Sequence, residues 1–260
     1  MSWSGFKKSM NRTGISLMQG FGAIDKTVDK DFLEKEASFK HLQVKVEELH
    51  KEARGYGEAV KAMTTAQLQV AEHLEHFYDP NSAGGAYSAQ YRQTMADIDT
   101  HTRPEFDDVY QETVMNPIGR YCGYIPEFNA AISKRGRKLL DYDQARSKAK
   151  KLADKQPTHV TGGTRAEQAE SQARTTYEVL NQQLSDEIPQ FVNIRVPYLE
   201  PSFEALLKAQ LKFFEDSYAQ LQTSRDVGAD GAPGNRPMNE QVEDVLQEMR
   251  DLSICGMTVR

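Results

Sequence analysis

Nothing in the chain approaches the run of roughly 20 apolar residues that a bilayer-crossing helix needs, and the first residues lack an apolar stretch followed by a small-residue cleavage site. Those two absences predict a cytosolic protein without a membrane span or secretory leader. Cysteine is nearly missing as well. Cys122 and Cys255 stand far apart with no Cys-x-x-Cys pairing, which points away from a disulfide framework and from a zinc site. Asn11-Arg12-Thr13 has the form of a glycosylation sequon, but a cytosolic chain has no route to that chemistry. β-Branched runs are few, and Gln, Glu, Ala, Leu and Lys dominate instead. Hydrophobic residues make up 38% of the chain and charged residues 27%, with a mean hydropathy of −0.67. That balance predicts long helices with narrow apolar stripes rather than one compact globule.

Catalytic signatures are equally scarce. His73-Leu74-Glu75-His76 sets two histidines on one helical face without the His-Glu-x-x-His order or a third ligand, so a surface pair is the expectation and no metal is implied. Gly162-Gly163-Thr164-Arg165 lacks the Gly-Lys-Ser/Thr that ends a phosphate-binding loop. Thr164 reads instead as a helix N-cap, with Glu167 completing a capping box. No nucleophile, base and orienting group recur together, and the chain reads as a non-enzyme without a cofactor.

What is present is a seven-residue beat. Phe39, Leu42, Val46, Leu49, Ala53, Tyr56, Val60 and Met63 alternate steps of three and four, the seam of a coiled-coil-like helix from about Asp29 to Tyr78. The breakers from Asp79 to Gly85 predict a turn. A second helical stretch, from about Ala86 to Asp154, carries Tyr91, Met95, Ile98, Phe106, Tyr110, Val114, Tyr121, Ile125, Phe128 and Ile132 on one face. Pro104, Pro117 and Pro126 interrupt it and should kink or break it. Gln156-Pro157 and Gly162-Gly163 mark a second loop. A third helix then runs from about Arg165 to Ser224, its seam formed by Tyr177, Leu180, Leu184, Ile188, Phe191, Ile194, Tyr198, Phe203, Leu206, Phe213 and Tyr218, with Pro189, Pro197 and Pro201 as bend points. Helices of this length are roughly 75 to 100 Å long. The expected fold is all-α, an elongated, kinked three-helix antiparallel coiled-coil bundle whose sustained seams call for dimerisation. A straight coiled-coil spacer is the plainer alternative, and the prolines favour the bent form.

Charge is distributed unevenly. Between Lys134 and Lys155 nine cations face three acids, a local charge of +6 in a chain whose formal charge is −6. Net acidity argues against nucleic acid as a partner, whereas a concentrated basic end suits an anionic surface. A solvated helix face is the bland reading of such a run. The first residues add a separate signal: Trp3, Phe6, Met10, Leu17, Phe21 and Ile24 recur mostly at helical steps, with Lys7, Lys8 and Arg12 between them and no acid before Asp25. That is the pattern of an amphipathic segment lying in a membrane interface, although Gly5, Gly14, Gly20 and Gly22 weaken it as a free helix. Trp3, Phe6, Lys7, Lys8, Met10 and Arg12 are the expected insertion residues.

The run Lys134-Arg135-Gly136-Arg137-Lys138-Leu139-Leu140-Asp141-Tyr142-Asp143 resembles the basic motif in the second helix of amphiphysin-type N-BAR domains. Leu184-Ser185-Asp186-Glu187-Ile188-Pro189 is similar to that family's third-helix bend. The resemblance covers about residues 1 to 225, and the whole layout, including Met1 to Lys8, is most similar to the short fungal amphiphysin-like members of the reduced-viability-upon-starvation group. It implies a crescent-shaped antiparallel dimer with a six-helix core that contacts lipid through a basic concave face and tips. Roles in endocytic scission, cortical actin patches and cell fusion follow from it, at the plasma membrane. Carried over by position, Lys134, Arg135, Arg137 and Lys138 contact headgroups on the concave side, and Lys148, Lys150, Lys151 and Lys155 do so near the tip.

The expected organisation is an amphipathic segment over residues 1–25, a BAR domain over 26–225, and a linker with a short acidic tail helix over 226–260. Val242, Val245, Leu246, Met249 and Leu252 form that helix's apolar stripe. No room remains for a Src-homology-3 domain, so the resemblance implies a homodimer, or a heterodimer with a longer amphiphysin-like relative that carries one. The alternative function is a coiled-coil adaptor that binds actin or another acidic protein without autonomous lipid binding.

Overall fold

The computed structural model describes Arg12 and residues 26–154, 160–229 and 238–252. Every regular element among these residues is helical: α1 (Lys30–Phe77), α2 (Ala83–Asp97), α3 (Arg103–Tyr110), α4 (Asn116–Ala153), α5 (Val160–Ala229) and α6 (Met238–Asp251), with π turns at Ile98–Thr102 and Gln111–Met115. The chain divides into two compact units, Met1–Ala62 with Arg103–Phe213, and Met63–Thr102 with Phe214–Arg260.

The start of α1 follows from Asp29, whose carboxylate accepts the Phe32 amide at 3.0 Å, a side-chain N-cap that satisfies one orphan donor of the first turn. In the first unit α1, α3, α4 and α5 then close over a series of apolar clusters. Phe32 and Phe39 of α1 meet Ile125 of α4 and Leu184 and Ile188 of α5, with Phe128 and Phe191 packed around them at a ring separation of 4.5 Å. Farther along, Val60 meets Phe106, Tyr110, Val114, Met115, Ile118, Ala209 and Phe213. Each fully buried side chain of this size contributes about 1.5–3 kcal/mol. Two tyrosines pin the helices together through their polar ends: Tyr110 donates to the Ala53 carbonyl and Tyr121 to the Phe191 carbonyl, both at 2.7 Å. Gly57 makes the first possible, since a Cβ there would press on the Tyr110 ring at 3.3 Å. Burial pushes the Tyr121 hydroxyl up to about 12, so it stays a donor.

The second unit has a smaller core of Ala71, Met95 and Ile98, with Leu68 and Tyr91 alongside. Polar ties supplement it: Thr64 donates to Asp99 at 2.6 Å, and Gln220 donates to Thr102 at 2.8 Å. Ser82 caps α2 by accepting the Gly85 amide. A Cβ on Gly85 would fall 2.1 Å from the Asp79 carbonyl oxygen, so only glycine fits under that turn.

Several boundaries differ from expectation. Pro104 and Pro117 do not break the second stretch. Each falls in the first turn of the α-helix that follows a π turn, where the shifted hydrogen-bond register relieves the clash between the ring and the carbonyl four residues back. Pro126, Pro189, Pro197 and Pro201 sit inside helices that continue through them. Gly84 and Gly85 belong to α2 rather than to the turn before it. Because α5 already begins at Val160, Gly162 and Gly163 are helical, and Thr164 is an interior helical residue rather than an N-cap.

Candidate functional site

Helix α4 carries the basic run, and a helix that turns 100° per residue sorts its members by direction. Lys134, Arg137, Lys138, Asp141 and Lys148 fall on one stripe, with Lys151 at its edge and Lys150 on the opposite side. Lys134, Arg137, Lys148, Lys150 and Lys151 are exposed and Lys138 is half-buried. Lys155, at the far end of the run, lies outside the described residues, as do Trp3, Phe6, Lys7, Lys8 and Met10.

Arg135 departs from its expected role. It is 6% exposed and points into the first unit. Its guanidinium reaches Asp29 of the α1 cap at 3.0 Å, Asn181 of α5 at 2.6 Å and the Tyr177 hydroxyl at 3.1 Å, and it lies 3.5 Å from the centroid of the Phe32 ring. One cation thus knots α1, α4 and α5 together, and its burial takes it away from the surface a headgroup would approach. Burial pushes the Asp29 carboxyl up, but the Phe32 amide, Asn181 and Arg135 outweigh it and hold the group below the usual carboxylate range.

The two acids that close the motif have partners far away in sequence. Asp143, 1% exposed, accepts from the Thr27 hydroxyl at 2.6 Å and the Thr27 amide at 3.2 Å, with Arg146 at 3.1 Å. Asp141 accepts two parallel hydrogen bonds from Arg12, at 2.9 and 2.7 Å, and Lys138 stands 3.9 Å from the same carboxylate. The Asp141 contact holds the Arg12 guanidinium above its ordinary value. Neither partnership was read from the sequence; the only available signal was that an acid in a basic stripe needs a cation. Beside Asp141, a groove of about 430 Å³ opens between α4 and α5, lined by Ala145, Leu152, Ala166 and Ala169 together with Lys148 and Lys151. A larger cleft of about 840 Å³, lined by His50, Arg54, Lys61, Glu58, Asp107, Asp108 and Arg120 among others, mixes both signs of charge and defines no preference for an anion.

Among the described residues no helix is long and apolar enough to cross a membrane, and no group of His, Cys, Asp and Glu is arranged to hold a metal ion. The helical layout and the basic stripe are those of a non-catalytic scaffold, and the chain belongs to the BAR-domain family, whose model matches residues 6–227. Within that family its near relatives are fungal amphiphysin-like proteins. It is 44% identical over 260 residues to protein hob3 of Schizosaccharomyces pombe, covering 99% of this chain and 98% of the relative. It is 38% identical over 264 residues to the Regulator of cytoskeleton and endocytosis RVS161 of Candida albicans, covering 99% of each. Among solved structures, the amphiphysin BAR domain from Drosophila superposes with a TM-score of 0.67 at 26% identity, over 81% of this chain and 97% of that one.

Proposed function

We propose that the chain is a membrane-curvature scaffold that binds anionic lipid through Lys134, Arg137, Lys138, Lys148 and Lys151, with Lys150 and Lys155 adding charge toward the helix end. The observation that carries this reading is the exposed stripe on α4, whose single acid is already matched by Arg12. Each cation near an anionic leaflet contributes on the order of 1 kcal/mol, enough in sum to hold a net-acidic protein at a surface. Arg135 belongs to the fold rather than to the lipid face, and Arg12 acts at Asp141 instead of as a free insertion residue. Residues 1–25 supply the amphipathic insertion segment, 26–225 the scaffold and 226–260 a linker with an acidic tail helix.

The working unit is a dimer with a second copy or with a longer amphiphysin-like relative that carries a Src-homology-3 domain. Exposed apolar side chains support a partner in each unit: Phe203, Leu207 and Leu211 in the first, and Val70, Phe77, Phe214 and Tyr218 in the second. Action at the plasma membrane in endocytosis, actin-patch organisation and cell fusion follows from kinship with the fungal proteins, one of which is named a regulator of cytoskeleton and endocytosis.

Co-sedimentation with anionic liposomes of two diameters tests the reading, using wild type beside a variant in which Lys134, Arg137 and Lys138 become Glu. Wild type should pellet, favour the smaller vesicles and lose binding as salt rises, while the variant stays in solution with unchanged helicity. Wild type that ignores lipid and pellets with actin filaments establishes the adaptor instead.

A further inference from the structure

We propose that Asp141 is a positioning residue for membrane docking: it clasps Arg12 onto the cationic stripe of α4, and Arg12 in turn cancels the only acid that the stripe carries between Lys134 and Lys151. The proposal deepens the lipid-binding reading and rests on it for its functional meaning, although the clasp itself is measurable without lipid.

Three observations carry it. The contact is a two-pronged guanidinium–carboxylate pair, the geometry in which arginine recognises a carboxylate most selectively. Lys138 approaches the same oxygen at 3.9 Å, so one carboxylate gathers two cations where a headgroup would approach. The neighbouring acid, Asp143, holds Thr27 through its amide and hydroxyl, so both ends of residues 13–26 are fastened to α4 two residues apart. Arg12 is thus held at the exposed stripe of α4 and Thr27 at the helix's buried side. An unpaired Asp141 would place a negative charge amid Lys134, Arg137, Lys138 and Lys148 and repel the surface they attract; paired with Arg12, it leaves the stripe uniformly cationic. The side chains remain 19% and 32% exposed, which marks the pair as a weak, reversible clasp rather than a structural knot like that of Arg135.

Trypsin reads the clasp directly, because it must draw the Arg12 side chain into its own specificity pocket before cutting the Arg12–Thr13 bond. Cleavage after Lys7 and Lys8 in the same chain is the internal reference. In full-length protein without lipid, Asp141→Asn should raise the rate after Arg12 about fivefold, the factor that ~1 kcal/mol of pairing gives at 298 K. Asp141→Glu should stay near wild type, and cleavage after Lys7 and Lys8 should not change. Equal rates after Arg12 in wild type and Asp141→Asn overturn the clasp. So does a rise at all three sites with a lower melting temperature, which reports loosening of the whole molecule.

A second arm uses vesicles of phosphatidylserine and phosphatidylcholine. Arg12→Gln should bind several-fold more weakly, and Arg12→Gln with Asp141→Asn should recover wild-type binding. Wild-type binding by Arg12→Gln overturns the charge-cancelling role, and a double variant as weak as the single one makes Arg12 a direct lipid contact. If wild type does not bind these vesicles, the lipid reading falls while the proteolysis result stands by itself.

Discussion

Arg135 and its neighbour Lys134 differ by one step along the chain and by about 100° around the helix axis, and that rotation separates an interior residue from a surface one. A run of adjacent cations reads as one patch in sequence, but a helix cannot present them all in one direction. Removing the buried partner strands Asp29 and empties the space over Phe32, so Arg135→Ala should cost about 2–3 kcal/mol in urea unfolding. Lys134→Ala, exposed and outside the core, should stay within about 0.5 kcal/mol of wild type. Asp29 gives the pair a pH signature. Its folded value lies below the ordinary carboxylate range, so the native state binds fewer protons than the unfolded chain as both titrate. The stability it confers is complete above the unfolded value of about 3.9 and drains as the pH falls through the folded one. Asp29→Asn should therefore be less stable than wild type at pH 7, and the gap should close in acid-unfolding curves below about pH 4. A gap that persists unchanged to pH 2 would assign the loss to packing.

At the scale of the helix, periodicity located the elements well and their faces only in part. Phe39, Leu42, Val46 and Val60 are buried as the seven-residue beat requires, but Leu49 and Met63 are exposed while Thr64 is 1% exposed. A straight α-helix repeats every 3.6 residues rather than 3.5, so a strict heptad drifts off the true inward stripe within a few turns, and polar Thr64 gives no hydropathic warning. The same drift explains α5. Leu184, Ile188 and Phe213 face inward, whereas Ile194, Tyr198, Phe203 and Tyr218 face out and Ser202 and Ala209 take buried places. Ile188→Ala should accordingly cost about 2–5 kcal/mol, and Ile194→Ala much less, when their thermal unfolding is compared. The outward residues offer apolar surface to the partner proposed above. Changing Phe203, Leu207 and Leu211 together to Ser should weaken self-association in sedimentation equilibrium while leaving helicity intact; unchanged association would exclude that face. The π turns were illegible because prolines announce that a helix is disturbed without saying how the disturbance is absorbed.

For the molecule as a whole, opposite charges on one chain set the terms of binding. On the proposed reading, a local +6 within a formal −6 makes attraction to an anionic surface short-ranged, because the net negative charge of the whole chain weighs more against it as separation increases. The screening length falls from about 10 Å at 0.1 M salt to about 3 Å at 1 M, so vesicle binding should fall steeply over that range; binding indifferent to salt would indicate an apolar anchor instead. Basic stripe and helical plan were legible from the sequence, whereas the residues that fasten the N-terminal side to α4 were not, because their spacing has no period. Thr27 waits for Asp143, 116 residues downstream, and Asp29 waits for Arg135, 106 residues downstream. A ribosome adding about 5–20 residues per second leaves the cap of α1 unsealed for roughly 5 to 25 seconds while the remaining helices are made. Nascent chains halted before Arg135 should thus be open to protease near Thr27, since the end synthesised first cannot be sealed until a helix made much later has emerged.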